Sequence, residues 1–358
     1  MGATRIVILV TLLLLALGAL MVYSSSSQFS REKYNNSYHF LVRHLIWIFL
    51  GLLFFWLTYH IEPERWRKWG KPLLAFSLFL LLLTLTPLGL RIGGARRWIG
   101  MGPLTFQPVE VAKFSLIIWL AELLERRRKE IGDFLQGLTP PLIVLAFFIL
   151  ILLIQPDLGS ALLILMVCFS LLFVGGANVR HLLNLFLLSL PVLYLLLMKV
   201  GYRRRRLLSF LNPWRSSRDA GYQLIQSLLA LGSGGIWGKG LGRSTQKLFY
   251  LPSAYNDFIF SIIGEELGLV GSSLVVILFL ALLLAGLRIS FRQEKTFLSH
   301  LALGITLLIS LQAFINLGVS VGILPTKGIP LPLVSVGGSS LVVTMGMLGI
   351  LARIGRET

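Results

Sequence analysis

Residues 139–176 read TPPLIVLAFFILILLIQPDLGSALLILMVCFSLLFVGG, two apolar runs broken only by Gln155-Pro156-Asp157. A helix needs roughly 20 mostly apolar residues to cross a hydrocarbon core about 30 Å thick, and an X-Pro step disfavours helix in the residue before it. The stretch therefore predicts two membrane helices joined by a tight reversal that carries an acid. Working outward, similar apolar stretches occur at 5–23, 41–60, 72–88, 108–125, 182–201, 258–287, 297–322 and 336–353. The expected fold is an all-α polytopic membrane protein of about ten transmembrane helices. It reads as a single membrane domain over 1–358, with a large extracytoplasmic loop over 202–257 between helices 7 and 8. The first stretch follows Arg5 as a signal peptide would, but its apolar run exceeds the roughly 7–15 residues of an h-region, so a retained helix is expected.

Composition agrees: 56% of the 358 residues are hydrophobic, only 13% are charged, and the formal charge is +18. Soluble domains carry roughly 25% charged residues. The charge alone would suit a nucleic-acid binder; the hydrophobicity excludes one. Cys168 is the single cysteine, so no intrachain disulfide or Cys-rich metal site can form. With the N-terminus inside, Lys and Arg split evenly, fifteen in the inner segments and fifteen in the outer ones. Without the 202–257 loop the split is fifteen to six, which the positive-inside rule reads as cytoplasmic N- and C-termini. That one loop holds nine cations on the side where they are disfavoured, which calls for an anionic ligand or lipid head group. For Arg203 to Arg206 the alternative is simple anchoring at phospholipid phosphates.

Ionisable groups within apolar segments are costly and functional by default. Glu110 and Lys113 stand at i and i+3, able to neutralise each other as a structural pair or to serve chemistry. Asp157 sits in the reversal. Asp257 opens YNDFIFSIIGEELG, where it can act as a helix N-cap or as a catalytic acid, and Glu265 and Glu266 follow two turns on. GSGGIWGKGLG (232–242) fails the Walker pattern; either its amides, with Lys239 and Arg243, approach a phosphate, or it merely folds tightly over the membrane. DAGYQLIQSLLALGSGG has near-helical apolar spacing, expected of an amphipathic helix at the interface. GILPTKGIPLPLVSVGGSSL (322–341) has too many Pro and Gly for a helix. Such backbone at membrane depth must line a cavity or be buried in protein, which makes Lys327 a candidate cavity cation.

Seven stretches, in order, are recognisable together: GARRWIGMGPLTFQPVEVAKF, QPDLGSALL, RLLSFLNPW, GYQLIQSLLALGSGG, QKLFYLP, DFIFSIIGEELGLVG and ILPTKGIPLPLVSVGGSSL. Over nearly the whole chain they resemble the SEDS family (shape, elongation, division and sporulation), and GKGLGRSTQKLFYLP and LPTKG look more like its division branch. The resemblance implies a bacterial inner-membrane peptidoglycan glycosyltransferase that polymerises lipid II into glycan strands at the outer face, for septal wall synthesis. It implies Asp257 as the essential catalytic carboxylate, a candidate base for the attacking hydroxyl, Glu110, Lys113 and Asp157 as a supporting polar cavity, and Lys327 as the family's LPTKG lysine. The pyrophosphate leaving group asks for cations, for which Arg96, Arg97, Arg243, Lys247 and Lys327 are the candidates. No tightly bound cofactor is implied; a divalent cation, Mg2+ or Mn2+, at Asp257 stays open. Implied partners are lipid II, membrane lipids, a class B penicillin-binding protein and other divisome proteins, with no nucleic acid. Two other classes remain: a lipid II flippase with Glu110, Lys113 and Asp157 as its polar path, and a non-catalytic scaffold. Tyr255-Asn256, Val109 and Val336 stand where the family usually has His-Thr, Ser and Tyr, so no role carries over to them.

Overall fold

The structure, a computed structural model, describes residues 2–357 except 93, 102–103, 217–220, 249 and 253; Arg218, one of the outer-loop cations, thus lies outside the described residues. The helices in order are α1 (Ala3–Tyr34), α2 (His39–His60), α3 (Arg65–Leu83), α4 (Pro108–Arg126), α5 (Thr139–Ile154), α6 (Leu158–Val174), α7 (Val179–Met198), α8 (Gly201–Leu211), α9 (Tyr222–Gly234), α10 (Ile259–Arg292), α11 (Thr296–Ser320) and α12 (Gly338–Arg356). Among the described residues, seven helical segments are long and apolar enough to cross a membrane: α1, α2, Phe134–Ile154 (a π turn running into α5), α7, α10, α11 and α12. α6 is apolar but shorter. α3 and α4 fall at the expected third and fourth stretches but carry charges, Arg65 to Lys71 in one and Glu110 to Arg126 in the other.

α1 runs eleven residues past its apolar stretch, through Ser24, Ser25, Ser26 and Ser30, because these hydroxyls are buried against protein rather than lipid. Between α3 and α4 the chain forms an antiparallel sheet, β1 (Gly89–Ile92), β2 (Ala95–Met101) and β3 (Leu104–Phe106), in the order β1-β2-β3. This corrects the all-α expectation, which had no strand there; β1 and β3 have only four and three residues, and the seven of β2, ARRWIGM, do not alternate apolar with polar.

α11 and α12 form the centre, with 72% and 78% of their most apolar windows buried, against 6% for the peripheral α7. α12 packs along α2 at backbone distance: a Cβ at Gly346 would meet Phe54 Cε1 at 2.2 Å, and one at Gly349 would meet Thr58 Oγ1 at 2.1 Å. Small residues at the seam are how membrane helices approach closely when lipid offers no hydrophobic drive, and Thr58 Oγ1 donates to Gly346 O at 2.9 Å across it. α9 forms where the spacing predicts a helix, but Leu224, Ile225 and Ala230 are buried and Ser227 bonds to Ser261 and to Ser320 O. It is docked on α10 and α11 rather than floating at the interface. The segment 321–337 is irregular and buried at Leu331, Leu333 and Val334. Leu333 holds φ +66, a strained value for a branched side chain, and its carbonyl sits 2.7 Å from where a Cβ at Gly18 of α1 would be.

Candidate active site

The loop before α10, the 155–157 reversal, the start of α8 and the 325–328 segment converge on one cavity of about 610 Å³. Its polar lining includes Asp257, Asp157, Arg97, Arg203, Arg206 and Lys327. Asp257 is not a helix cap here. The N-cap position of α10 is Phe258, and among the described residues no hydrogen bond or ion pair engages the Asp257 carboxylate. Burial pushes its carboxyl up to about 6, with the Arg206 guanidinium pulling the other way. Asp257 is therefore ionised at neutral pH yet far more basic than an ordinary aspartate.

The backbone that carries it is held from three sides. Asn316 Nδ2 donates to Asp257 O at 2.8 Å, Ser335 Oγ donates to Asn256 O at 2.6 Å, and Val336 N donates to Tyr255 O at 3.3 Å. Tyr255 itself packs on Phe40, ring centroids 4.9 Å apart, and on Phe29. The Asp257 carboxylate faces Gly328, where a Cβ would lie 3.2 Å from Oδ2.

Asp157 caps α6, accepting from Ser160 N at 3.2 Å and Ser160 Oγ at 2.9 Å. Arg97 pins its turn by donating to Gln155 O at 3.0 Å and to Pro156 O, while Gln155 Nε2 reaches Thr84 Oγ1 at 2.6 Å. α8 divides the RRRR run: buried Arg203 and exposed Arg206, three apart, line the cavity, whereas Arg204 and Arg205, also exposed, do not. Lys327 lines the same space; burial brings its ammonium down to about 8, although the Asp157 carboxylate holds it up.

The other candidates lie elsewhere. Glu110 and Lys113 form a buried pair at 2.7 Å that does not line the cavity. They and Asp157 thus do not share one polar path. Arg96 is exposed on β2, opposite Arg91. Arg243 is exposed, and neither it nor Lys247 reaches the cavity lining. Lys247 is buried, with Nζ 2.7 Å from Glu266 Oε1.

That pair belongs to a cage. Gly268, at φ +67, breaks the helical path of α10, and the carbonyls so released are taken by the glycine-rich loop: Lys239 N donates to Glu265 O and Gly240 N to Glu266 O. The Glu265 carboxylate accepts from Lys239, Ser244 and Thr245, that of Glu266 from Lys247, Ser24 and Gly242 N. The loop's amides and lysines serve protein carboxylates.

Gln312, Asn316 and Ser335 carry no signal in the sequence, and the Arg203–Arg206 run reads only as a block, for an anionic ligand or for lipid anchoring. The i, i+3 spacing of the two arginines was legible, but which face looks inward was not. Gln312 and Asn316 are uncharged, so a search for ionisable groups in apolar helices passes over them. A divalent cation fits this site poorly: hard cations take several oxygen ligands, whereas Asp257 stands among four cations, Asp157 is turned to Ser160, and no cluster of three His, Cys, Asp or Glu occurs among the described residues.

The family model for FtsW, RodA and SpoVE, described as "Cell cycle protein", matches residues 4–358. A Geobacter sulfurreducens relative named "Probable peptidoglycan glycosyltransferase FtsW" is 42% identical over 350 residues, 98% of this chain and 94% of its own. "Stage V sporulation protein E" of Bacillus subtilis is 39% identical over 352 residues, 98% of this chain and 96% of its own. Thermus thermophilus rod shape determining protein RodA is similar in structure, with a TM-score of 0.72 at 30% identity over 98% of this chain and 96% of that one. A chain from "Structural coordination of polymerization and crosslinking by a peptidoglycan synthase complex" gives 0.82 at 30% identity, covering 98% and 97%. With a family match spanning almost every residue and relatives this similar over full length, the chain belongs to the FtsW–RodA–SpoVE family, the SEDS proteins that its motifs resemble.

Proposed function

We propose that the chain is a peptidoglycan glycosyltransferase that polymerises lipid II, with Asp257 as its catalytic base. The observation that carries this reading is the cavity, in which an unpaired, raised-pKa carboxylate stands among Arg97, Arg203, Arg206 and Lys327. The 4-hydroxyl of one lipid-linked disaccharide attacks the anomeric carbon of another. The new C–O bond forms as the C1–O bond to the pyrophosphate breaks, and the bonding pair leaves with the polyprenyl pyrophosphate. Asp257 takes the hydroxyl proton, and a carboxylate near 6 is a better base for this than one near 4. The four cations face the charge that develops on the leaving group, where fixed positive charge is most effective. The cation set we assign narrows the sequence candidates to Arg97 and Lys327 and adds Arg203 and Arg206. Arg96 and Arg243 are left to lipid head groups, and Lys247 to the cage. No cofactor enters the scheme.

In the bilayer we read ten crossings, α1 to α7 and α10 to α12, as one domain, with the sheet and the 202–257 loop outside and both termini cytoplasmic in the bacterial inner membrane. The coincidence of these ten helices with the ten apolar stretches supports that count. The relatives' names favour a septal role, and the structural neighbour from a synthase complex favours a class B penicillin-binding protein as partner within the divisome. The test is purified protein with lipid II in detergent, scored for glycan product, beside a liposome assay of lipid II translocation. Polymer that disappears with Asp257→Asn is expected. Translocation without polymer would make the protein a flippase, and neither activity, with or without the partner, would make it a scaffold.

A further inference from the structure

Gln312 and Asn316 lie one turn apart on α11, on the same side of the helix, and both are buried. Each carboxamide ties separate pieces of chain together. Asn316 Nδ2 donates to Asp257 O and to Ile329 O, both at 2.8 Å, so its two N–H groups join the loop that carries the carboxylate to the segment that carries Lys327. Gln312 Nε2 donates to Pro330 O at 3.1 Å, while its Oε1 accepts from Lys113 Nζ at 3.0 Å. An ammonium can only donate. Lys113 therefore fixes which way round the Gln312 amide sits and aims its N–H2 end at Pro330. Glu110 Oε2, 2.7 Å from the same Nζ, pairs with it where both side chains are buried.

We propose that Gln312 and Asn316 are positioning residues for the glycosyl transfer, and that the Glu110–Lys113 pair acts on the site through Gln312. The function of the pair is then neither a polar path nor contact with substrate. It is the far end of a set of four side chains, joined through the Ile329–Pro330 backbone, that sets the separation of Asp257 from the 327–330 segment. Gly328 shows how tight that separation is, since even a methyl group there would press on the Asp257 carboxylate. Asn316 is the one member of the set that touches both segments, so its loss reaches Asp257 directly.

The inference rests on the assignment of Asp257, and the experiment separates the two. Asn316→Asp, Gln312→Met, Lys113→Met, the Lys113→Met/Gln312→Met double variant and Asp257→Asn are purified and assayed for lipid II polymerisation, with thermal midpoints in detergent. Asn316→Asp keeps the shape but sets carboxylate oxygens against two carbonyls. It is expected to lower kcat by about 10²-fold, the scale of a small misplacement of a reacting group, while KM stays within about twofold. Asn316→Ser, which retains one donor, gives an intermediate kcat at the same KM and serves if the aspartate variant does not purify. Because Lys113 acts through Gln312, the double variant should be no slower than the worse single one. Wild-type kcat in the Asn316 variants, a loss carried by KM, or multiplying effects of Lys113→Met and Gln312→Met would each overturn the proposal. If Asp257→Asn still polymerises, the assignment of Asp257 fails; if it is inactive while Asn316→Asp is fully active, only the present inference fails.

Discussion

Two sites of the outer loop and α10 are built from the same materials and do opposite things with them. The cage around Glu265 and Glu266 holds two acids and two lysines, and every carboxylate there is engaged by an ammonium, a hydroxyl or a backbone amide. The cavity holds two acids and four cations, yet the Asp257 carboxylate takes no hydrogen bond and Lys327 makes no ion pair among the described residues. Satisfied charge is rigid and inert; unsatisfied charge facing an open space is available to a ligand. The difference also separates lysines that the sequence cannot tell apart. Lys247 and Lys327 are both loop lysines in recognisable motifs, but one is a strut and the other is free to meet an anion.

The largest effect expected is on Asp257. Asp257→Asn preserves shape and should cost about 10² to 10⁴-fold in polymerisation rate, the usual worth of a general base, without moving the thermal midpoint. Glu266→Gln should do the reverse, with the protein that still folds retaining its kcat. Next comes Lys247→Met. Removing one partner of a buried pair costs about 3–5 kcal/mol, so thermal unfolding in detergent should drop sharply while the folded fraction keeps its KM for lipid II. If Lys247→Met instead raises KM with stability intact, the contrast between strut and free cation fails. For the cavity cations the expectation is the opposite pattern. Arg206→Gln and Lys327→Met should each raise the half-saturating lipid II concentration about 10- to 100-fold, as for the loss of one charge-assisted hydrogen bond, with melting unchanged; Arg203→Gln, which also removes donors to Leu196 O and Tyr202 Oη, should lower melting as well. Arg204→Gln and Arg205→Gln, on the outward face of the same helix, should not raise that concentration.

The pH dependence tests the electrostatics of the same comparison. Asp257 is raised to about 6 by burial, so it loses its proton, and gains its use as a base, as pH rises through that value. Lys327 is lowered to about 8, so its positive charge is lost as pH rises through that one. Half-buried Tyr255, beside them, is raised above an ordinary phenol, chiefly by burial. A plot of kcat/KM against pH should therefore be bell-shaped, with limbs near 6 and 8, and Lys327→Met should flatten the alkaline limb alone. An acid limb near 4 would mean that Asp257 is solvated during turnover.

Much of the architecture was legible because membrane helices announce themselves by length and apolarity. The 139–154 stretch falls on α5 residue for residue, and Gln155-Pro156-Asp157 is the reversal its proline implies. Asp257 and Lys327 stand out as ionisable groups beside apolar or irregular membrane segments, the family motif favours Asp257 as the essential acid, and their meeting in one cavity required the fold. What escaped notice had a physical reason in each case. In the serine-rich extension of α1, Ser24 meets Glu266 and Lys247, while Ser25 and Ser26 turn back on the helix's own carbonyls. The RRRR run needed a helix axis before its inward face could be chosen. Asn316 carries no charge, and its importance lies in two backbone carbonyls that no side-chain pattern encodes.

The smallest predicted effect is the most direct measure of distance. At Gly328 the backbone is not left-handed, so alanine is conformationally allowed, and its Cβ would stand 3.2 Å from Asp257 Oδ2 and 3.8 Å from Cγ. The carboxylate would have to give by a few tenths of an ångström. Since a 1 Å misplacement costs about 10²-fold, Gly328→Ala should slow kcat by about two- to fivefold, with KM and melting unchanged. The control is Gly238→Ala in the cage. There φ is +78 and the new Cβ would lie 2.2 Å from Glu266 O, so both strain and collision fall on the strut. That variant should lower the thermal midpoint, in keeping with about 1–3 kcal/mol for a forced backbone, and leave the kcat of folded protein alone. If the two glycines exchanged these effects, the free carboxylate would be the structural one and the caged pair the working site.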